Sequence, residues 1–173
     1  MFFKFGGQYT NLVELIRKSE DTVYVHQDNF ESSCGRFVWS EGFSRCSGLA
    51  FFDGKKSALA HISGATSPQL LIKGYVGHVL GGEFRPVEKL QDVFDSPKDV
   101  QLINIYHDFC HSWLPEEIEH AMNSIGINKI NHVALETIPF DGSIFHRAIA
   151  IDSKNKEVYI FPNNKTSLIR IPF

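Results

Sequence analysis

Between Gly35 and Leu80 the apolar residues come in short runs, Gly35–Trp39, Leu49–Phe52, Ala58–Ile62 and Tyr75–Leu80, each closed off by Gly, Asp or Ser. Runs of this length, alternating or wholly apolar, suit strands better than helices. A middle built this way commits the chain to β-structure. The ends carry a different period. In TNLVELIRK, Thr10 to Lys18, residues Leu12, Val13, Leu15 and Ile16 gather roughly on one helical face behind a Thr or Asn cap. In LPEEIEHAMNSIGI, Pro115 suits a first helical turn and Glu116 and Glu117 complement its dipole. Ile118, Ala121, Met122 and Ile125 repeat at helical spacing, and Gly126 closes the end. HVALETI then reads as a strand, and RAIAIDSKNKEVYIF as two strands joined by a polar turn.

These elements predict an α+β fold: a mainly antiparallel sheet, curved or doubled into a sandwich, flanked by helices. At 173 residues the chain suits one domain, 1–173. Its fifteen phenylalanines can fill a dense interior. A net charge of -3 without a lysine or arginine run gives no footprint for a phosphate backbone, so nucleic acid is not an expected partner. Neither a signal h-region nor a membrane span is legible, which predicts a protein made soluble in the cytoplasm, or delivered into another cell without a cleaved signal. A monomer is expected. Three cysteines, Cys34, Cys46 and Cys110, make an odd number without framework spacing, which argues against a disulfide scaffold and permits a reactive thiol.

The stretch CSGLAFFDGKKSALAHI, Cys46 to Ile62, places a thiol and an imidazole on consecutive strands. If Asp53-Gly54 forms a two-residue turn, Phe52 pairs with Lys55 and Cys46 faces His61. If the loop is DGKK, Cys46 faces Ser63 and His61 becomes a diagonal neighbour on the same face. Either register brings the pair together. A nearby imidazole can take a thiol proton, steady the thiolate and later protonate a leaving amine, which suffices for acyl transfer. The competing reading is a small buried hydrophobe beside a hydrogen-bonded core histidine.

The run SEGFSRCSGLAFFDGKKSALAHI resembles the segment of the chemoreceptor glutamine deamidases (CheD) in which Thr-x-Gly-x-Gly-Ser-Cys opens a strand and a histidine closes the next. Ser40, Gly42, Cys46 and His61 fall on its positions, with Ser40 where that family has Thr. The cytotoxic necrotizing factor deamidases carry the same Cys and His on the same fold. YVGHVLGGEF, SIGINKINHVALETI and RAIAIDSKNKEVYIF are similar to later elements of the chemotaxis family, so the resemblance spans roughly Ser40 to Phe161. Three differences stand out: Ser40 stands where the family has Thr, Ser63-Gly64 replaces the Leu-Pro that usually follows the histidine, and nineteen residues between His61 and Gly81 are too few for the helix found there in the chemotaxis enzymes. This shortening leans towards an effector or toxin.

The resemblance implies a CheD-like domain that deamidates glutamine in another protein. Cys46 attacks the carboxamide, His61 protonates the departing ammonia, and water hydrolyses the thioester to leave glutamate. Ser40 orients the imidazole as the third member of the triad. No metal or organic cofactor is implied. A transglutaminase or thiol protease would use the same pair, and a catalytically idle relative would only bind a partner protein.

His107-Asp-Phe-Cys110-His111 has the look of a metal cluster, with His120 as a further ligand, yet LINIYHDF reads equally well as a strand, and no metal is expected. Cys34 has no histidine at comparable register. His132 and His146 read as polar residues at strand ends, and the glycine pairs at 6–7 and 81–82 as turns or close backbone packing.

Overall fold

The computed structural model of the chain describes residues 3–4, 6–43, 46–63, 66–77, 83–107, 113–134, 147–161 and 167–173. Among them, the strands form two large sheets and one small pair. The six-stranded sheet runs, edge to edge, β1 (Phe3–Lys4), β13 (Ser167–Pro172), β12 (Glu157–Phe161), β11 (Ala148–Asp152), β4 (Phe37–Glu41) and β2 (Thr22–Tyr24). The five-stranded sheet runs β10 (Lys129–Ala134), β9 (Gln101–Tyr106), β5 (Ser47–Phe52), β6 (Ser57–Ile62) and β3 (Asn29–Ser33). β7 (Tyr75–Gly77) pairs with β8 (Phe84–Pro86). The β2–β4 and β9–β10 pairs are parallel and the others antiparallel. The expected α+β architecture is therefore present.

Strand alternation sorts the apolar residues into three layers. Val38, Ala50, Leu59, Ile103, Ile105, Ile149, Ile151, Val158 and Ile160 face inward and form the core between the two sheets. Leu49, Phe51, Ala58, Ala60 and Leu102, on the other face of the five-stranded sheet, pack against α2 (Pro68–Ile72), α3 (Leu90–Val93) and α4 (Pro115–Asn123). Phe37, Trp39, Ala150, Tyr159 and Phe161 make the outer face of the six-stranded sheet and receive Ile16 of α1 (Gly6–Lys18). The result is a β-sandwich with helices on both outer faces. Among the described residues no helix is long and apolar enough to cross a membrane.

The helix α4 follows its sequence signals, with Ile118, Ala121 and Met122 buried. It closes through Ile127 N–H to the Met122 carbonyl at 3.0 Å and Gly126 N–H to the Asn123 carbonyl at 3.1 Å, a Schellman end. Three expectations are corrected. α1 begins at Gly6 and not at Thr10, so Gly6 and Gly7 lie in its first turn. Leu15 is 44% exposed because a helix lying on a sheet buries a narrow stripe, here Leu12, Val13 and Ile16. His132 sits inside β10, half-buried, and not at a strand end. His146 and Gly81-Gly82 lie outside the described residues.

One end of the sandwich is tied by a polar knot. The buried Asp152 carboxylate accepts from Arg36 Nε and Nη2 at 3.2 and 3.0 Å, from the turn N–H groups of Lys154 and Asn155 at 3.1 and 3.2 Å, and from the Tyr159 hydroxyl at 3.3 Å. Burial pushes the Tyr159 hydroxyl up to about 12, which keeps it a donor. At the same end Ser57 Oγ meets Ser153 Oγ at 3.1 Å, joining the two sheets.

Candidate active site

The residues singled out in the sequence gather at the opposite end of the sandwich. The β5–β6 ladder pairs Phe52 with Ser57 and Gly48 with His61. The turn is therefore centred on Gly54 and Lys55, one position later than the Asp-Gly turn that puts Cys46 directly across from His61. The cause is local. Asp53 Oδ1 accepts from the N–H groups of Lys55 and Lys56 at 2.8 and 2.7 Å, and Gly54 takes a φ of +96° at the first central position. This is the second of the two sequence registers, with Cys46 and His61 diagonal. Cys46, buried just before β5, belongs to the core between the sheets. His61 follows Leu59 of that core by two residues, so alternation puts it on the same inner face.

His61 is almost wholly buried, at 1% exposure. Its ring stacks on Phe43, with centroids 3.7 Å apart and planes at 16°. Gly48 makes room for this: a Cβ there meets Ile149 Cδ1 at 2.6 Å and Phe43 Cε1 at 3.3 Å. On the facing sheet, Ser40 of β4 follows Val38 by two residues and also points inward. Its Oγ lies 2.7 Å from His61 Nδ1 and 2.5 Å from the Val25 carbonyl. A carbonyl only accepts, so the single hydroxyl proton goes to Val25. Ser40 Oγ must then accept from Nδ1–H, which assigns the tautomer. Nε2 is left carrying a lone pair, and among the described residues no group donates to it. Burial draws the His61 pKa down to about 4, partly opposed by the charge of Asp28. The imidazole is accordingly neutral near pH 7, a base and not a cation.

Asp28 is a member of this site that the sequence reading missed. It is buried, with a φ of 53°, and its N–H donates to the His61 carbonyl at 2.7 Å. Its Oδ1 accepts from Ser63 N–H at 2.9 Å, and its carbonyl accepts from Arg85 Nε at 2.9 Å. In the sequence it is only an Asp in the polar run HQDN, with nothing to separate it from an ordinary turn residue. Arg147, buried before β11, offers its carbonyl to the N–H groups of Gly42 and Phe43 at 3.0 and 3.1 Å. Ile149 faces the inner core, so Arg147 falls on the same side by alternation.

Cys34 is exposed just after β3. His107 directly follows β9, while Cys110 and His111 lie outside the described residues. His120 is exposed on α4. His132 is held between Asn104 Nδ2 at 3.2 Å and Glu119 Oε1 at 3.3 Å. Among the described residues no group of three His, Cys, Asp or Glu side chains is placed to hold a metal ion. Compared with protein-family models and with curated proteins, the chain matches none.

Proposed function

We propose that this protein is a cysteine-dependent deamidase of glutamine side chains in other proteins. The observation that carries the reading is the Ser40 to His61 Nδ1 hydrogen bond, which crosses from one sheet to the other and leaves Nε2 as an unprotonated base on the face that holds Cys46. In the reaction the thiol proton moves to Nε2 and the sulfur bonds to the carboxamide carbon. The C–N bond breaks as the same imidazole gives its proton to the departing amide nitrogen, which leaves as ammonia. Water then loses a proton to Nε2 and attacks the thioester, so glutamate and the thiol are released. Ser40 is a positioning residue: it fixes which nitrogen carries the proton, as the third member of a triad does. No step calls for a metal or an organic cofactor.

The test is incubation of the purified protein with a library of glutamine-containing peptides and unfolded proteins, read by ammonia release and by a gain of about one mass unit at glutamine. Wild type is expected to give both, and Cys46→Ser neither. Methylamine incorporation in place of hydrolysis assigns transglutamination, and backbone cleavage assigns a protease. A folded protein inert in all three assays overturns the enzymatic reading in favour of a binding module.

A further inference from the structure

The β5 strand has a second neighbour. Its ladder with β9 pairs Phe52 with Gln101 and ends with Gly48 against Ile105. Carried two residues further, the same register sets Ser47 against Tyr106 and Cys46 against His107. Ile103 and Ile105 both face the inter-sheet core, so alternation places His107 on the inner side as well. His107 is buried there, at 5% exposure. Directly opposed residues of an antiparallel pair have Cβ atoms about 4.5–5.5 Å apart, against about 7–8 Å for the Cα atoms of a diagonal pair. The extended register thus brings His107 to the thiol from the β9 side, opposite His61 on the β6 side.

We propose that His107 is the second imidazole of this site, facing the Cys46 sulfur from the β9 side, and that it donates an N–H to the thiolate formed when His61 takes the thiol proton. The step balances simply: the S–H bond breaks, its proton binds His61 Nε2, the electron pair stays on sulfur, and the His107 proton is shared without being transferred. A second donor is needed because a thiolate and an imidazolium are both costly out of water. Burial already disfavours the charged form of His61. Among the described residues, the other charged groups at this end include Arg147, on the inner side of the six-stranded sheet, Asp28, beyond His61 at the β3 edge, and Arg85, bonded to the Asp28 carbonyl; His61 and His107 face the thiol from its two neighbouring strands.

The proposal rests on Cys46 being the reacting thiol, and is independent of the electrophile it attacks. The experiment is alkylation of Cys46 by iodoacetamide across the neutral pH range, quantified on the Cys46 peptide for wild type, His61→Gln and His107→Gln. His107→Gln is expected to slow alkylation near neutral pH by about tenfold and to move the profile to higher pH, as a rise of one unit in thiol pKa does. A wild-type profile in folded His107→Gln overturns the proposal. Should that variant not fold, ring-nitrogen NMR decides on the Cys34→Ser, Cys110→Ser background: His107 resonances that move on carbamidomethylation of Cys46 support it, and unmoved ones overturn it. An imidazole-dependent thiol without ammonia release sinks the deamidase reading alone.

Discussion

Ser40 has one hydroxyl proton and two neighbours within reach, the Val25 carbonyl and His61 Nδ1, and that shortage sets the state of the site. With the proton committed to the Val25 carbonyl, the histidine ring is held in one tautomer. Ser40→Ala removes the acceptor for Nδ1–H and lets the ring change tautomer or turn. The expected cost is about 10–100-fold in the alkylation rate of Cys46 and in ammonia release, with Ser40→Thr close to wild type. Equal rates for Ser40→Ala and wild type would sink the positioning role. The same histidine links stability to pH. Its pKa is about 4 in the fold against 6.5 for the unperturbed side chain, so the unfolded chain binds the extra proton first. Stability is full above about 6.5 and falls as pH drops towards about 4, by roughly 3 kcal/mol for a shift of this size. Thermal unfolding followed through this window should show the loss, and His61→Gln should flatten it.

At the scale of elements, the strands around the site were legible because each is a short apolar run between turn residues. Their relative register was not. Asp-Gly marks a turn, but which two residues form its centre depends on what the Asp53 side chain bonds, and in the fold it caps the N–H groups of Lys55 and Lys56. A shift of one position in the turn moves the facing pair from Cys46–His61 to Gly48–His61. His107 was obscured for a related reason: its spacing to His111 suggests a helical motif, whereas its neighbour across the sheet is distant in sequence. Asp28 gave no local sign, since its role depends on contacts with β6 and β8. Gly48 tests the packing of these elements. Gly48→Ala drives a methyl into Ile149 and Phe43, and is expected to destabilise the fold by about 1–3 kcal/mol. Because Phe43 stacks on His61, Cys46 alkylation should slow in folded protein as well; an unchanged rate would separate the stack from the chemistry.

Across the whole molecule, cohesion and chemistry lie at opposite ends of the sandwich. Asp152→Ala strips Arg36, Tyr159 and two turn N–H groups of their acceptor at the closed end. A loss of about 3–5 kcal/mol in stability is expected, with Cys46 alkylation unchanged wherever the variant is still folded. Urea denaturation and thiol labelling on the same samples check both halves of that statement. The hydrogen bond between Ser40 and His61 has a further consequence, because its two partners belong to different sheets. Neither sheet alone holds a tautomer-locked base, and a nascent or threaded chain carries three thiols with nothing to activate them. On the proposed reading, the activated nucleophile is therefore assembled only when the sheets dock, so activity is gained at the last step of folding.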